Sequence, residues 1–398
     1  MFYWTAWDGT LTPRTLQTPT FRRDSIATFI DSEGRLARVA ADQPRWYRHA
    51  ETDLFGLLLE GLTSTNLCLR SEDFANWTAV NSPSQTANAL RIGLLNLALL
   101  IDDSAVNQEY YQRTDVNMTG AACVVSVFVA QGTSPAASGT QILLIDSGAV
   151  TRLDVTVTWT AGVPTVTPAT GTFLGKVACA DGVYRLLLKT SANPAAGNAT
   201  LRIIMAKTAS QTGNIYAGGF QVENNLNVPS QYIATTTATV NRPGEVLYWP
   251  LLAYLRDLTL YTRFTDLGSG LQGGAAVTVG DQATPPWMLV NSGVGSTSAM
   301  VNAGGGTNTA TVVAGSAFGL VGEMRNSVTK AGLITAGFAA SGGSEATATL
   351  QGTALPDSTP WGVQRLQPAF GTGGGPILLN QIAVYPTVLT MDQLRKRG

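Results

Sequence analysis

The side chains able to do chemistry are few and scattered. They are one histidine, His49, three cysteines, Cys68, Cys123 and Cys179, and three close carboxylate pairs, Glu51/Asp53, Glu72/Asp73 and Asp102/Asp103. A Ser-His-Asp relay would have to use His49, which sits in the polar stretch WYRHAETD with no nucleophile elbow beside it. One histidine excludes a histidine-rich metal centre, and no CxxC pair is present. Glycoside hydrolysis needs two carboxylates facing each other across a sugar, whereas adjacent acids on a strand point to opposite faces. Long-range carboxylate pairs stay open at this stage. No catalytic residue, metal ligand or cofactor follows from these spacings.

Sugar binding is the chemistry that the residue types favour. Such sites stack a pyranose on an exposed aromatic ring and flank it with amides or carboxylates. Trp77, Trp249, Trp287 and Trp361 lie beside turn-forming residues, Trp287 in ATPPWMLV and Trp361 in DSTPWGVQ, and are the candidate platforms. The competing reading is that each closes the end of a hydrophobic core. The glycine runs Gly304–Gly306 and Gly373–Gly375 lack the Lys-Ser/Thr of a phosphate loop and read as hairpin turns. No EF-hand loop is present.

These residues need elements to position them. The dominant signal is alternation with period 2. LDVTVTW (153–159) puts Leu153, Val155, Val157 and Trp159 on one face and Asp154, Thr156 and Thr158 on the other. YRLLLKT (184–190), LRIIMAK (201–207) and LTLYTRFT (258–265) read as further strands, and CVVSVFVA (123–130), apolar on both faces, as a central one. Segment 89–101 reads as strand and turn. Gly- and Pro-rich turns separate these runs. A single helix is signalled, at LTMDQLRKRG, where Thr390 and Gln393 have capping-box spacing and Arg395, Lys396 and Arg397 suit the negative end of the dipole.

Composition agrees. The 398 residues exceed one ordinary core. Charged residues make up 13%, against about 25% in average soluble domains, and glycine reaches 42 residues. A net charge of -1 offers no footprint for nucleic acid or an anionic membrane. No apolar stretch is long enough to span a bilayer, and MFYWTAWDGT lacks the features of a signal peptide, so synthesis without export is expected. Cys123, within an apolar run, reads as a reduced core thiol.

The expected fold is all-β: two tandem antiparallel β-sandwiches of jelly-roll type, an extended N-terminal arm and a short C-terminal helix. The arm covers 1–65, the first sandwich 66–240 and the second 245–398. Phe2, Tyr3, Trp4 and Trp7 of the arm have no evident sheet of their own and are candidates for packing on a neighbouring chain. Tyr232 and Ile233, after Pro229, are expected to fold an extended ribbon back over a sheet edge. Glu60 is expected to pair with Arg70 or Arg242 and pin the arm.

Longer motifs carry two resemblances. TPTFRRDSIATFIDSEGRLARVAADQPRW (18–46) and GLLLEGLTSTNLCLRSEDFANW (56–77) hold Asp31, Gly34, Pro44, Arg45, Leu59, Glu60, Gly61, Asn66, Leu67, Arg70, Ser71, Phe74 and Trp77 in characteristic places. GGFQVENNLNVPSQYIATTTATVNRPGE (218–245) holds Gly219, Gln221, Glu223, Ser230, Tyr232, Ile233, Thr235 and Arg242. Together they resemble a module of tailed-bacteriophage and prophage virion proteins whose sandwich is similar to carbohydrate-binding modules. Cys68 for an aliphatic residue, Phe220 for Ala and Ala234 for Pro depart from its pattern. ILLNQIAVYPTVLTMDQLRKR (377–397) is similar to the last strand and helix of laminin-G-like, concanavalin-A-type jelly rolls.

The resemblance implies a non-enzymatic structural protein of the virion, assembled in the host bacterial cytoplasm, on a tail tip, fibre or head surface. Its partners would be other virion proteins, further copies of itself, with a trimer among the options, and host cell-surface polysaccharide. Neither nucleic acid nor membrane insertion is implied. A decoration or head-fibre protein without receptor role, and a polysaccharide-cleaving tailspike-type hydrolase, are the alternatives.

Overall fold

The computed structural model describes residues 2–5, 20–48, 55–60, 63–133, 138–226, 228–249, 257–266, 275–281, 284–293, 296–302, 307–313, 321–329, 331, 333–340, 343–351, 364–368, 377–385 and 388–396. The chain is all-β, and its strands pair antiparallel in four large sheets and two short ribbons. It divides into two compact units, one of residues 26–39 and 63–242, the other of residues 1–25, 40–62 and 243–398. Residues 1–65 are therefore not a separate block. A β-hairpin, Ala27–Ile30 with Leu36–Val39, belongs to the first unit, and the flanking segments belong to the second.

The first unit is a sandwich of two six-stranded sheets. One runs Thr172–Ala178, Val183–Lys189, Cys123–Ala130, Gly213–Asn224, Leu95–Asp102, Ser84–Ile92. The other runs Val163–Thr170, Thr151–Thr160, Thr140–Ile145, Gly197–Ile204, Tyr110–Met118, Thr78–Val80. Between them lies one apolar core to which both sheets contribute their alternate residues, among them Leu153, Val155, Val157 and Trp159 as the alternation requires. Cys123–Ala130 is buried along its whole length, as expected of a central strand. Segment 89–101 forms two strands joined at Gly93-Leu94, where Gly93 (φ +62) lies against the Leu36 carbonyl and a Cβ would collide with it.

The second unit also holds two sheets. The larger runs Ala346–Gln351, Leu333–Ala340, Val321–Val328, Leu258–Asp266, Ile377–Tyr385, Phe55–Leu59, Arg45–Arg48. The other runs Thr20–Arg22, Val246–Trp249, Gln364–Pro368, Ala275–Asp281, Thr284–Gly293, Ser296–Asn302, Thr307–Val313. Phe2–Thr5 pairs with Gln381–Val384 of the chain's own sheet, so the expectation that this arm lacks a sheet is corrected. The helix Met391–Arg395 forms with both halves of its capping box made, and Met391 and Leu394 pack on the outer face of the larger sheet with Tyr261, Ala383 and Tyr385.

A fully buried charge quartet also lies in the second unit. Arg23 Nη1 donates to Glu245 Oε1 (2.8 Å), and Arg45 Nη2 reaches both Glu245 Oε2 (2.6 Å) and Glu60 Oε2 (2.7 Å). Glu60 thus pairs with Arg45, a partner that its sequence neighbourhood did not name. Arg70 instead bonds Asp73, three residues on. Buried charges persist only when paired in this way.

Candidate ligand-binding face

The two sheets of the first sandwich differ on their outer sides. On the sheet containing Cys123–Ala130, the outward residues Ser126, Phe128, Arg185, Gln221 and Glu223 are themselves buried, because the chain from Val228 to Thr235 lies across them. Arg185 Nη2 donates to Ser126 Oγ (2.8 Å) and the Ser230 carbonyl (2.6 Å), with its guanidinium over the Phe128 ring. Gln221 donates to Ser230 and accepts from the Ile233 amide. Glu223 accepts from the Ser230 amide and hydroxyl. The Tyr232 hydroxyl meets Ser71 Oγ (2.6 Å) and donates to Glu72 (2.9 Å). Burial raises the Glu223, Glu72 and Tyr232 pKa values, so these groups are costly to ionise there. Gly219 (φ +61) is required where the strand passes under the Phe128 ring. The ribbon therefore caps a sheet face rather than a sheet edge, and the motif at 218–245 is a structural closure.

The other sheet keeps its outer side open, and its register lines up two rows across five strands. The first row is Tyr110, Ile204, Gln141, Thr156 and Thr167; the second is Gln112, Arg202, Leu143, Asp154 and Thr170. Their inward neighbours Tyr111, Ile203, Ile142, Val155 and Val157 are core residues, which fixes the direction of both rows.

Side chains on this face hold one another. Arg202 Nε donates to Gln112 Oε1 (3.0 Å) while its guanidinium lies 5.1 Å from the centre of the Tyr110 ring. Gln141 Nε2 donates to Asp154 Oδ1 (2.8 Å), and Lys207 Nζ to Thr156 Oγ1 (2.9 Å). Tyr110, Gln112, Arg202, Leu143, Asp154 and Thr156 are half-buried and Thr167 is exposed, whereas Ile204 and Gln141 are buried. The result is a shelf on which an aromatic ring, the Gln112 amide, a guanidinium and a carboxylate are held in set positions, the carboxylate steadied by the buried Gln141. Such a set can hydrogen-bond vicinal hydroxyls and pack against a sugar ring's C–H face.

Of the aromatic residues picked from the sequence, Trp77 is a correction. It is 5% exposed, packs on Phe74 and Phe220 at 4.8 and 5.0 Å, and donates its indole N–H to the Arg70 carbonyl (3.0 Å). It therefore cannot stack on a sugar without unfolding. Trp249 lies in Val246–Trp249 and Trp287 in Thr284–Gly293. Phe2, Tyr3 and Trp4 lie in Phe2–Thr5, while Trp361 and Trp7 fall outside the described residues, as do His49, Glu51 and Asp53. None of the six described aromatics that the sequence singled out belongs to the strands that form the open shelf.

Among the described residues, one long-range and one loop-spanning carboxylate pair form. Glu60 and Glu245 share the Arg45 Nη2 atom, and both are buried beneath arginines with no path for a sugar. Asp102 and Glu109 meet at the base of one loop. Among the described residues no three His, Cys, Asp or Glu side chains are grouped to hold a metal. Cys68, Cys123 and Cys179 are free thiols, and burial pushes the Cys179 thiol up to about 12 and the other two higher still.

No protein-family model matches the chain, and no curated protein does. Two solved structures share a slight overall similarity. Domains LG4–5 of the mouse laminin α1 chain align over 79% of this chain and 94% of theirs, at 10% identity and a TM-score of 0.25. The tandem CBM22-1–CBM22-2 domains of Paenibacillus barcinonensis Xyn10C align over 82% and 99%, at 9% identity and a TM-score of 0.26. Similarity this slight carries no argument, and the architecture rests on the chain's own sheets.

Proposed function

We propose that the chain is a non-catalytic structural protein of a tailed phage or phage-like particle, and that the open face of its first sandwich contacts host surface glycans. The observation that carries the glycan reading is the pair of five-residue rows, which set Tyr110 and Arg202 beside Gln112, Gln141 and Asp154. The virion reading is supported by the motifs at 18–46, 56–77 and 218–245. Those motifs supply the hairpin, the cap over one sheet and the segment bearing Trp77, so they build the sandwich and leave the other sheet free to bind.

The test is titration of host surface polysaccharide into the purified chain, beside Tyr110→Ala and Arg202→Ala. Both side chains are half-exposed, so the variants are expected to fold, with binding weakened tenfold or more. Absence of saturable binding by the folded wild type would leave a decoration role within the particle. Release of new reducing ends would instead make the protein a polysaccharide-cleaving enzyme.

A further inference from the structure

We infer that two copies of this chain associate through the edge strand Ala346–Gln351, pairing it antiparallel with the same strand of the second copy. An edge strand offers unpaired N–H and C=O groups to any passing strand, and proteins guard such edges with charge, proline, shortness or irregularity. Among the described strands that end a sheet, most are guarded; Thr307–Val313, without charge or proline, shares with Ala346–Gln351 the lack of a guard. Val163–Thr170 carries Pro164 and Pro168, and the neighbouring edge Thr172–Ala178 sends Lys176 Nζ to the Pro164 carbonyl (2.8 Å). Ser84–Ile92 is broken by Asn88 at φ +53 and carries Arg91. Thr78–Val80 and Thr20–Arg22 are three residues long, and Arg45–Arg48 begins and ends in arginine.

Ala346–Gln351, sequence ATATLQ, has none of these guards. It is six residues long, without charge or proline, and exposed along nearly its whole length. It closes the larger sheet of the second unit. Its inner-face residues Ala346, Ala348 and Leu350 stand in register with Phe338, Ala336 and Ile334. Those three are buried, so the row belongs to the core face of the sheet, yet Leu350 remains 39% exposed. Leu333, 40% exposed, adds an apolar side chain at the same margin.

The occupant that fits is an identical strand. A two-fold axis brings like side chains together, so a charged edge repels its own copy, and this edge has no charge to repel. Both strands must keep their core faces on the same side, which restricts the register. With Ala348 on the axis, Leu350 falls opposite Ala346 of the second copy, and Thr347 opposite Thr349. Small meets large on the core face and threonine meets threonine on the other, both favourable cross-strand pairs.

Sedimentation of the full chain tests this, beside the double variant Thr347→Lys/Thr349→Lys. Both threonines are exposed, so the variant should keep its melting temperature while like charges oppose pairing. The expected result is a wild type at twice the mass of one chain and a variant at the mass of one. A wild type that stays at one-chain mass, or a variant that associates as the wild type does, overturns the inference. Ala348→Cys supplies an independent reading, because residues facing across an antiparallel pair approach to about 4.5–5.5 Å between Cα atoms, within disulfide reach. Oxidation should cross-link this variant into covalent dimers. A dimer that forms but resists that cross-link would place the interface elsewhere and also overturn the inference.

Discussion

Asp102 and Glu109 close one loop by bonding across it: the Glu109 carboxylate accepts from the Asp103 amide (2.9 Å), and Asp102 accepts from the amides of Ser104 (3.2 Å) and Glu109 (3.4 Å). The loop joins Leu95–Asp102 to Tyr110–Met118, and so lies directly before Tyr110 of the open shelf. Two carboxyl groups this close cannot both ionise without cost. Burial raises the Asp102 pKa first, its two backbone donors oppose the rise, and the Glu109 carboxylate adds to it, leaving Asp102 pushed up to about 6. Tyr111, on the next strand, is raised by burial and then by Glu109.

The sign of the pH effect follows. A folded-state pKa raised above the unfolded value means that the folded protein holds the proton more tightly. The stabilisation is full below about pH 4 and is lost as pH rises through about 6, with a change on the order of 1–2 kcal/mol. Asp102→Asn keeps an acceptor for Ser104 and cannot ionise, so its stability should lack this decline. Melting curves of both proteins at intervals from pH 4 to 7 check it. Parallel profiles would refute the raised Asp102 pKa as the source of the decline.

Removing Arg45 should be far more damaging than removing a surface arginine. Burial opposes its charge, but Glu245 and Glu60 together hold its pKa above the usual arginine value. Arg45→Met takes away the cation that both carboxylates share, at an expected cost of about 3–5 kcal/mol. The loss should be nearly independent of salt, because buried pairs are weakly screened. Denaturant midpoints at low and high ionic strength measure both quantities, and a cost below about 1 kcal/mol would show the quartet to be dispensable.

Trp77 separates core from ligand site. Trp77→Ala should cost about 3–5 kcal/mol through the cavity left beside Phe74 and Phe220. Trp77→Phe should cost less and leave saccharide affinity at the wild-type level. Binding and melting measured on the same Trp77→Phe sample decide this. A folded variant that lost affinity would return Trp77 to the binding site.

Alternation with period 2 is a local property, so the strands were legible without any knowledge of their neighbours. Leu153, Val155, Val157 and Trp159 are in the core because every second residue of a strand shares a face. The C-terminal helix was equally legible, since its capping box involves only Thr390 and Gln393. Gln221 and Glu223 alternate with Phe220 and Val222 along one strand, but the segment they meet, 230–233, depends on where the chain returns.

What depends on register and long-range pairing was not legible. Glu60, Arg45, Arg23 and Glu245 are brought together from segments up to 222 residues apart, and nothing local in any of them names its partner. Tyr110 and Arg202 belong to strands whose alternation marks each as outward-facing, a signal present in YYQRTDV and LRIIMAK. Their juxtaposition needed the pairing of Tyr110–Met118 with Gly197–Ile204, because a one-residue slip would have put the two side chains on opposite faces of the sheet. The sequence by itself determined which residues are strand, which alternate face is apolar and where the helix begins. Tertiary structure alone decided which strands lie side by side, and hence which sheet face is capped, which is open and which strands end each sheet.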